Sequence, residues 1–120
     1  MPHALIIDEN IAISRGIEAC LSALGFATFD HTWTEHQALA AARRQRPDII
    51  VIGDDIEMGC AMRAARIISA DGTIPVLMVS GDPARASRRL ADAHSYDGPF
   101  RINQIEQAVA LALGPTQVRA

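Results

Sequence analysis

The chain contains no lysine, because all eleven of its basic residues are arginine. Aromatic residues make up only 4% of the chain, so Ile, Leu, Val and Ala must fill the core. The net charge of −3 shows no basic excess, which argues against nucleic-acid binding. No apolar run approaches the roughly 20 residues of a membrane span, and the N-terminus lacks the basic start and long apolar stretch of a signal peptide. We therefore expect a cytoplasmic protein that binds neither nucleic acid nor membrane.

Cysteine is also scarce. The two cysteines, Cys20 and Cys60, lie in apolar segments with helical spacing, which favours reduced core thiols over a disulfide. A length of 120 residues predicts one domain, large enough to bury a core without such cross-links. We assign residues 1–115 to this domain and residues 116–120 to a C-terminal tail.

Short apolar runs alternate with segments of helical periodicity along the whole chain. The runs predict strands over 4–7, 26–29, 48–52, 75–79 and 95–97, and the intervening patterns, with a last one over 102–112, predict five helices. Capping-box spacing occurs at Thr32 with Glu35 and at Thr34 with Gln37, so a helix starts near there. This alternation predicts an α/β fold, a flavodoxin-like doubly wound (βα)5 domain with a five-stranded parallel sheet and helices on both faces.

Acidic residues gather where the first and third predicted strands end. Asp8 and Glu9 follow the first strand, and Asp54 and Asp55 follow the third, after Gly53. The carboxyl ends of parallel strands form the usual ligand site of such sheets, so these acids are expected to share one pocket. Carboxylate oxygens suit Mg²⁺, and Asp8 and Glu9 are the candidate ligands.

Four segments, in this order and spacing, resemble the receiver domain of bacterial response regulators, the module of the chemotaxis receiver. LIIDEN is similar to the first strand with its acidic pair, and RPDIIVIGDD to the third strand, which usually ends in the phosphorylated aspartate. PVLMVSGD is similar to the fourth strand and its hydroxyl residue, and DGPFRI to the loop that normally reads Lys-Pro-Phe. The resemblance covers residues 3–113 and implies a role in two-component or phosphorelay signalling rather than an enzyme.

The match is uneven at the positions that carry the family's chemistry. Asp8 and Glu9 fit the metal-binding pair, Ser80 fits the hydroxyl that contacts the phosphoryl group, and Tyr96 fits the aromatic switch residue. Pro99 and Phe100 fit the loop after the fifth strand. Gly53, however, stands where the family has its phosphoacceptor aspartate, and Gly98 stands where it has its lysine.

Three functions remain open on these residues. The first is a pseudo-receiver, a protein-interaction module that is not phosphorylated. The second is a working receiver that uses Asp54 as phosphoacceptor with Mg²⁺, which requires the strand to end early enough for Asp54 to turn inward. The third is a cofactor-binding enzyme of the same fold, but the first turn after the first strand is acidic rather than glycine-rich.

The resemblance also implies a partner surface, formed by the fourth helix, fifth strand and fifth helix. Its basic residues are Arg85, Arg88, Arg89 and Arg101. The expected partners are a histidine kinase, a phosphotransfer protein or an effector domain, and the same face is a candidate for a homodimer. The four histidines show no metal-ligand spacing, so His3, His31, His36 and His94 are interpreted as structural.

Overall fold

The computed structural model describes residues 2–8, 10–53, 58–70, 74–80 and 97–113. In chain order the elements are β1 (His3–Ile7), α1 (Ile11–Ala23), β2 (Thr28–Thr32), α2 (Glu35–Arg44), β3 (Ile49–Gly53), α3 (Met58–Ile68), β4 (Val76–Val79), β5 (Asp97–Phe100), a short 3₁₀ turn (Ile102–Gln104) and a C-terminal helix (Ile105–Leu113). The helix predicted over 82–94 and the tail over 116–120 lie outside the described residues.

The strands form one five-stranded sheet in the order β2-β1-β3-β4-β5, and every pair of neighbours is parallel. This confirms the predicted doubly wound fold. The second strand of the chain, β2, lies on one side of β1, and the third, β3, lies on the other side of β1. The switch point of the topology therefore lies between β1 and β3, and ligands of such sheets bind at the carboxyl end of this crevice.

Alternate residues of the central strands pack against different helices, as strands covered on both faces require. Leu5 and Ile7 belong to a core cluster with Ala38 of α2. Ala4 and Ile6 belong to a second cluster, which includes residues of α1 and the C-terminal helix. Helices thus cover both faces of the sheet, and β1 and β3 are buried along their whole length.

Side-chain hydrogen bonds explain where α1 and α2 begin, and a glycine explains where α1 ends. Asn10 caps α1 by accepting a bond from the Ile13 amide at 3.2 Å. Thr34 caps α2 by accepting from the Gln37 amide at 3.1 Å, which selects Thr34 of the two predicted caps. Gly25 follows α1 with a φ of 102°, a left-handed conformation that favours glycine.

Two predicted strand boundaries are wrong. β2 starts at Thr28 instead of Phe26, because the Phe26 amide still donates to the Leu21 carbonyl at the end of α1, at 3.1 Å. β5 covers Asp97–Phe100 rather than 95–97. Gly98, Pro99 and Phe100 therefore lie in a strand and not in the loop that follows it. Proline is tolerated there because β5 is an edge strand, where a missing amide need not leave a partner unpaired.

Cys20 is a free thiol on α1. Burial raises the pKa of this thiol above its ordinary value of 9.0, and the nearby Glu106 carboxylate adds to the shift. The thiol is therefore protonated near neutral pH, as expected of a reduced packing residue. Within the described ranges, no helix combines the length and the apolar character needed to cross a membrane.

Candidate functional site

The ends of the three central strands bring Asp8, Gly53 and Ser80 to one edge of the sheet. In the parallel register, Ile7 lies beside Ile52, and Gly53 lies beside Val79. Asp8 therefore follows β1 next to Gly53, and Ser80 follows β4 one residue beyond that level. This is the switch-point edge, where the sequence predicted the acidic pocket.

Asp8 is a buried carboxylate, with only 4% of the residue exposed. Its backbone amide donates to the Thr32 carbonyl at 2.9 Å, which extends the pairing of β1 with β2 by one residue. Its Oδ1 atom accepts a bond from the Asn10 amide at 2.9 Å, and its carbonyl accepts from the Ser14 hydroxyl at 3.3 Å. Of these three bonds, the one from the Asn10 amide reaches the carboxylate and offsets part of the free-energy cost of burying this charged group.

The carboxylate of Asp8 occupies the space that a side chain at residue 53 would need. A β-carbon on Gly53 would lie 2.9 Å from the Asp8 β-carbon and closer still to its Cγ and Oδ2 atoms. Carbon atoms in favourable contact are about 3.5–4.0 Å apart, so the two side chains cannot coexist in this arrangement. The Asp8 side chain can occupy this space only because residue 53 is glycine.

Residue 53 is also still within a strand, since β3 ends at Gly53. The sequence left two possibilities for Asp54, depending on whether the strand had ended by residue 53. A strand that continues to Gly53 turns the next side chain toward the opposite face if the extended conformation persists. Asp54 itself lies outside the described residues.

Ser80 is buried directly after β4, with 2% exposed. Its amide donates to the Phe100 carbonyl at 2.8 Å, which ties the end of β4 to the end of β5. Phe100 is partly buried and packs against the core cluster that contains α1 and the C-terminal helix. The hydroxyl predicted to contact a phosphoryl group thus belongs to a buried residue whose backbone is hydrogen-bonded to the end of β5.

Several predicted site residues fall outside the part of the chain that the structure describes. These are Glu9, Asp54 and Asp55 of the acidic pocket, Tyr96, and Arg85, Arg88 and Arg89 of the partner face. Arg101 is exposed at the start of the 3₁₀ turn, consistent with a surface position next to β5.

The residues described at this edge do not by themselves fit a magnesium ion. Among them, no group of three or more His, Cys, Asp and Glu side chains is close enough to hold a metal. Gly53 brings no carboxylate, so Asp8 is the carboxylate that the described strand ends provide at this edge. Mg²⁺ binding by Asp8 and Glu9 therefore remains a prediction that depends on Glu9 and on the acids after Gly53.

Sequence reasoning missed the residues that hold Asp8 in place. Asn10, the cap of α1, is not among the predicted site residues, although a cap residue before the first helical apolar position is a recognisable pattern. Ser14 was given no role, yet it is buried and bonds to the Asp8 backbone. The contact between Asp8 and Gly53 has no sequence pattern, because it depends on a side-chain rotamer.

His3 and His31 have structural partners, in agreement with their interpretation as structural residues. His3 is buried at the start of β1, and its ring nitrogens lie 2.7 Å from Thr28 Oγ1 and 2.9 Å from Asp30 Oδ2. His31 Nε2 forms a hydrogen bond with Glu18 Oε1 at 2.6 Å. The first network joins β1 to β2 at the amino-terminal edge of the sheet, away from Asp8.

The fold has close counterparts among solved structures. The receiver domain of the sensor histidine kinase PA1611 from Pseudomonas aeruginosa PAO1, with a magnesium ion in its active-site cleft, matches with a TM-score of 0.71 and 22% identity, over 95% of this chain and 98% of that one. The chemotaxis protein CheY4 of Vibrio cholerae matches with a TM-score of 0.66 and 18% identity, over 93% and 98%. The receiver domain of the Erythrobacter litoralis PhyR response regulator matches with a TM-score of 0.73 and 20% identity, over 93% and 89%.

No protein-family model matches the chain, and no curated protein matches it in sequence. At identities of 15–24% the structural likeness shows the fold. The function has to be argued from the residues at the switch-point edge.

Proposed function

We propose that this chain, which has the fold of response-regulator receiver domains, is a pseudo-receiver: a protein-interaction module of two-component or phosphorelay signalling that is not phosphorylated. The observation that carries the proposal is the position of Asp8. Its carboxylate fills the space of a side chain at residue 53, where the resemblance places the phosphoacceptor aspartate.

Phosphoryl transfer to a protein requires a nucleophile in line with the leaving group, and glycine offers none. Asp8 does not replace it. Its carboxylate lies at the depth of the missing β-carbon of residue 53, not at the more distant position that an aspartate carboxyl would reach there. Asp8 is also buried, which separates it from an incoming phosphodonor.

The missing cation supports the same conclusion. Gly98 stands where the resemblance places a lysine, and the chain contains no lysine elsewhere. Removing one preorganised donor that stabilises developing negative charge typically slows a reaction by about a hundredfold or more. Arg101 is a cation nearby in the sequence, but its planar guanidinium does not reproduce the point charge of an ammonium group.

A domain that cannot be phosphorylated can still bind proteins through its surface. The proposed partners are a histidine kinase, a phosphotransfer protein or an effector domain. The proposed surface is the face with Arg85, Arg88, Arg89 and Arg101, which suits an acidic partner or a homodimer. This function needs no catalysis, so the proposal does not make the chain an enzyme, and it places the chain with the signalling machinery in the cytoplasm.

The test is intact-mass spectrometry after incubation with a small phosphodonor and Mg²⁺, on the native protein and on Asp54→Ala. An ordinary receiver in the same solution shows that the donor is active. The proposal predicts no phosphorylated species of the native protein. A phosphorylated species that disappears in Asp54→Ala would instead establish Asp54 as the acceptor, and one that persists in Asp54→Ala would point to another residue; either result would overturn the proposal.

A further inference from the structure

A groove runs along the surface between α1 and the end of β2, and we call it the α1–β2 groove. Its volume is about 490 Å³. The residues that line it are Asp8, Ile11, Ser14, Arg15, Glu18, His31 and Trp33. Cavities that bind small molecules usually measure about 300–1,000 Å³ and combine an apolar lining with a few polar groups.

Two exposed apolar side chains lie at this groove. Ile11 is 69% exposed and Trp33 is 55% exposed. A single exposed apolar residue is ordinary on a protein surface, but two large ones beside the same cavity provide a site for an apolar ligand. Trp33 is also the only tryptophan in the chain, so its fluorescence reports directly on the groove.

Two carboxylates, Asp8 and Glu18, and one guanidinium, Arg15, line the groove. Both carboxylates have hydrogen-bond partners: Glu18 Oε1 lies 2.6 Å from His31 Nε2, and Asp8 Oδ1 accepts from the Asn10 amide at 2.9 Å. Arg15 lies between Ile11 and Glu18 along the same side of α1, and it makes no ion pair with any residue that the structure describes. An exposed guanidinium beside an apolar surface complements a ligand that carries an anionic group next to an apolar body.

We infer that the α1–β2 groove binds a small anionic amphiphile. The ligand places a flat apolar body between Ile11 and Trp33 and a carboxylate, sulfonate or phosphate against Arg15. Asp8 lines this groove and also fills the space at Gly53. A ligand in the groove therefore lies close to the residue that fills the acceptor position.

The probe for the test is 8-anilinonaphthalene-1-sulfonate, an aromatic monoanion, titrated into the full chain. Bound probe accepts excitation energy from a nearby tryptophan, so we expect a saturable loss of Trp33 emission with one site per chain. The matched neutral ligand is N-phenyl-1-naphthylamine, which has the same rings without the sulfonate. We expect it to bind the native protein about fivefold more weakly than the sulfonate.

Three variants separate the apolar and the charged part of the site. Arg15→Gln should weaken the sulfonate about fivefold and leave the neutral ligand unchanged, because only the ion pair is lost. Ile11→Ser should weaken both ligands. Arg43→Gln, at an exposed arginine of α2 that does not line the groove, should change neither. Circular dichroism checks that each variant keeps the native helix content.

The outcomes that overturn the inference are distinct. Sulfonate affinity unchanged by Arg15→Gln and by Ile11→Ser would mean that the probe binds elsewhere. Sedimentation velocity tests a second outcome. A native protein that is dimeric and that Ile11→Ser converts to a monomer would show that the groove is a subunit interface and not a ligand site. The inference does not depend on the proposed function, since the probe can bind here whether or not the chain accepts a phosphoryl group.

Discussion

Replacing Gly53 with alanine adds one methyl group in space that Asp8 fills. The new carbon would lie 2.9 Å from the Asp8 β-carbon and closer still to the carboxylate. Because contacts of this kind between carbon atoms are favourable only at about 3.5–4.0 Å, Asp8 has to leave its position. The Oδ1 atom then gives up its 2.9 Å bond from the Asn10 amide.

The expected loss follows from the opposing contributions. Overpacking a buried site typically costs about 1–3 kcal/mol, and a hydrogen bond to a charged group contributes about 1.5–3 kcal/mol. Alanine in a strand is favoured over glycine by about 0.5–1 kcal/mol, which offsets part of this loss. Taken together, these contributions predict that Gly53→Ala lowers the free energy of unfolding by about 1.5–5.5 kcal/mol.

The assay is urea unfolding monitored by Trp33 fluorescence. The slope of the unfolding free energy against urea concentration should be the same in the native protein and the variants. Asp8→Ala would leave a β-carbon 2.9 Å from the new one, so the background for this test is Asp8→Gly. There the collision is absent, and Gly53→Ala should become neutral or stabilise by about 0.5 kcal/mol. Gly16→Ala is the matched control, because its new β-carbon would lie 3.5 Å from Ile102 Cδ1, an ordinary contact, and should stabilise the protein. A coupling energy between residues 8 and 53 below about 0.5 kcal/mol would refute the reasoning.

Three further predictions concern metal binding and stability. Gly53→Asp should raise the affinity for Mg²⁺ in calorimetric titrations, because it adds a carboxylate and displaces Asp8 from the space at residue 53, whereas Gly53→Asn should raise it less; equal affinities would contradict this. His3→Ala should lower the free energy of unfolding by about 1–3 kcal/mol through the loss of two partly buried hydrogen bonds, and an unchanged urea midpoint would argue against that network. The side-chain hydrogen bond from Arg63 lowers the pKa of Glu35 below its ordinary value of 4.5, so the pair stabilises the protein above about pH 4.5 and the contribution is lost as the pH falls through the folded-state pKa. Arg63→Gln should therefore reduce the urea midpoint at neutral pH but not at a pH well below 4.5, where Glu35 is protonated. A reduction of equal size at both pH values would contradict the stabilising role of the Arg63–Glu35 pair.

The fold was predictable because its core elements have strong patterns. The continuous apolar runs of β1, β3 and β4 are typical of strands covered on both faces, and the structure buries them in that way. The edge strands were harder. β2 is half exposed and β5 contains Gly98 and Pro99, so neither has a run of apolar residues that fixes its ends.

The candidate site was predictable in its location and not in its detail. Strand order and register bring Asp8, Gly53 and Ser80 together. The alternation of strands and helices predicts that the carboxyl ends of the strands lie at one edge of the sheet. The position of the Asp8 carboxylate next to Gly53 depends on the rotamer of the Asp8 side chain. The α1–β2 groove depends on the exposure of Ile11 and Trp33, which periodicity does not specify.

The most direct test of the central claim is a crystal structure of the native protein grown with Mg²⁺ and beryllofluoride, a mimic of the phosphoryl group on aspartate. We predict that the Asp8 carboxylate lies against Gly53, that Oδ1 accepts a hydrogen bond from the Asn10 amide, and that no carboxylate carries beryllofluoride. A structure with beryllofluoride on Asp54 and with Asp8 turned away from Gly53 would contradict the account and show a working receiver.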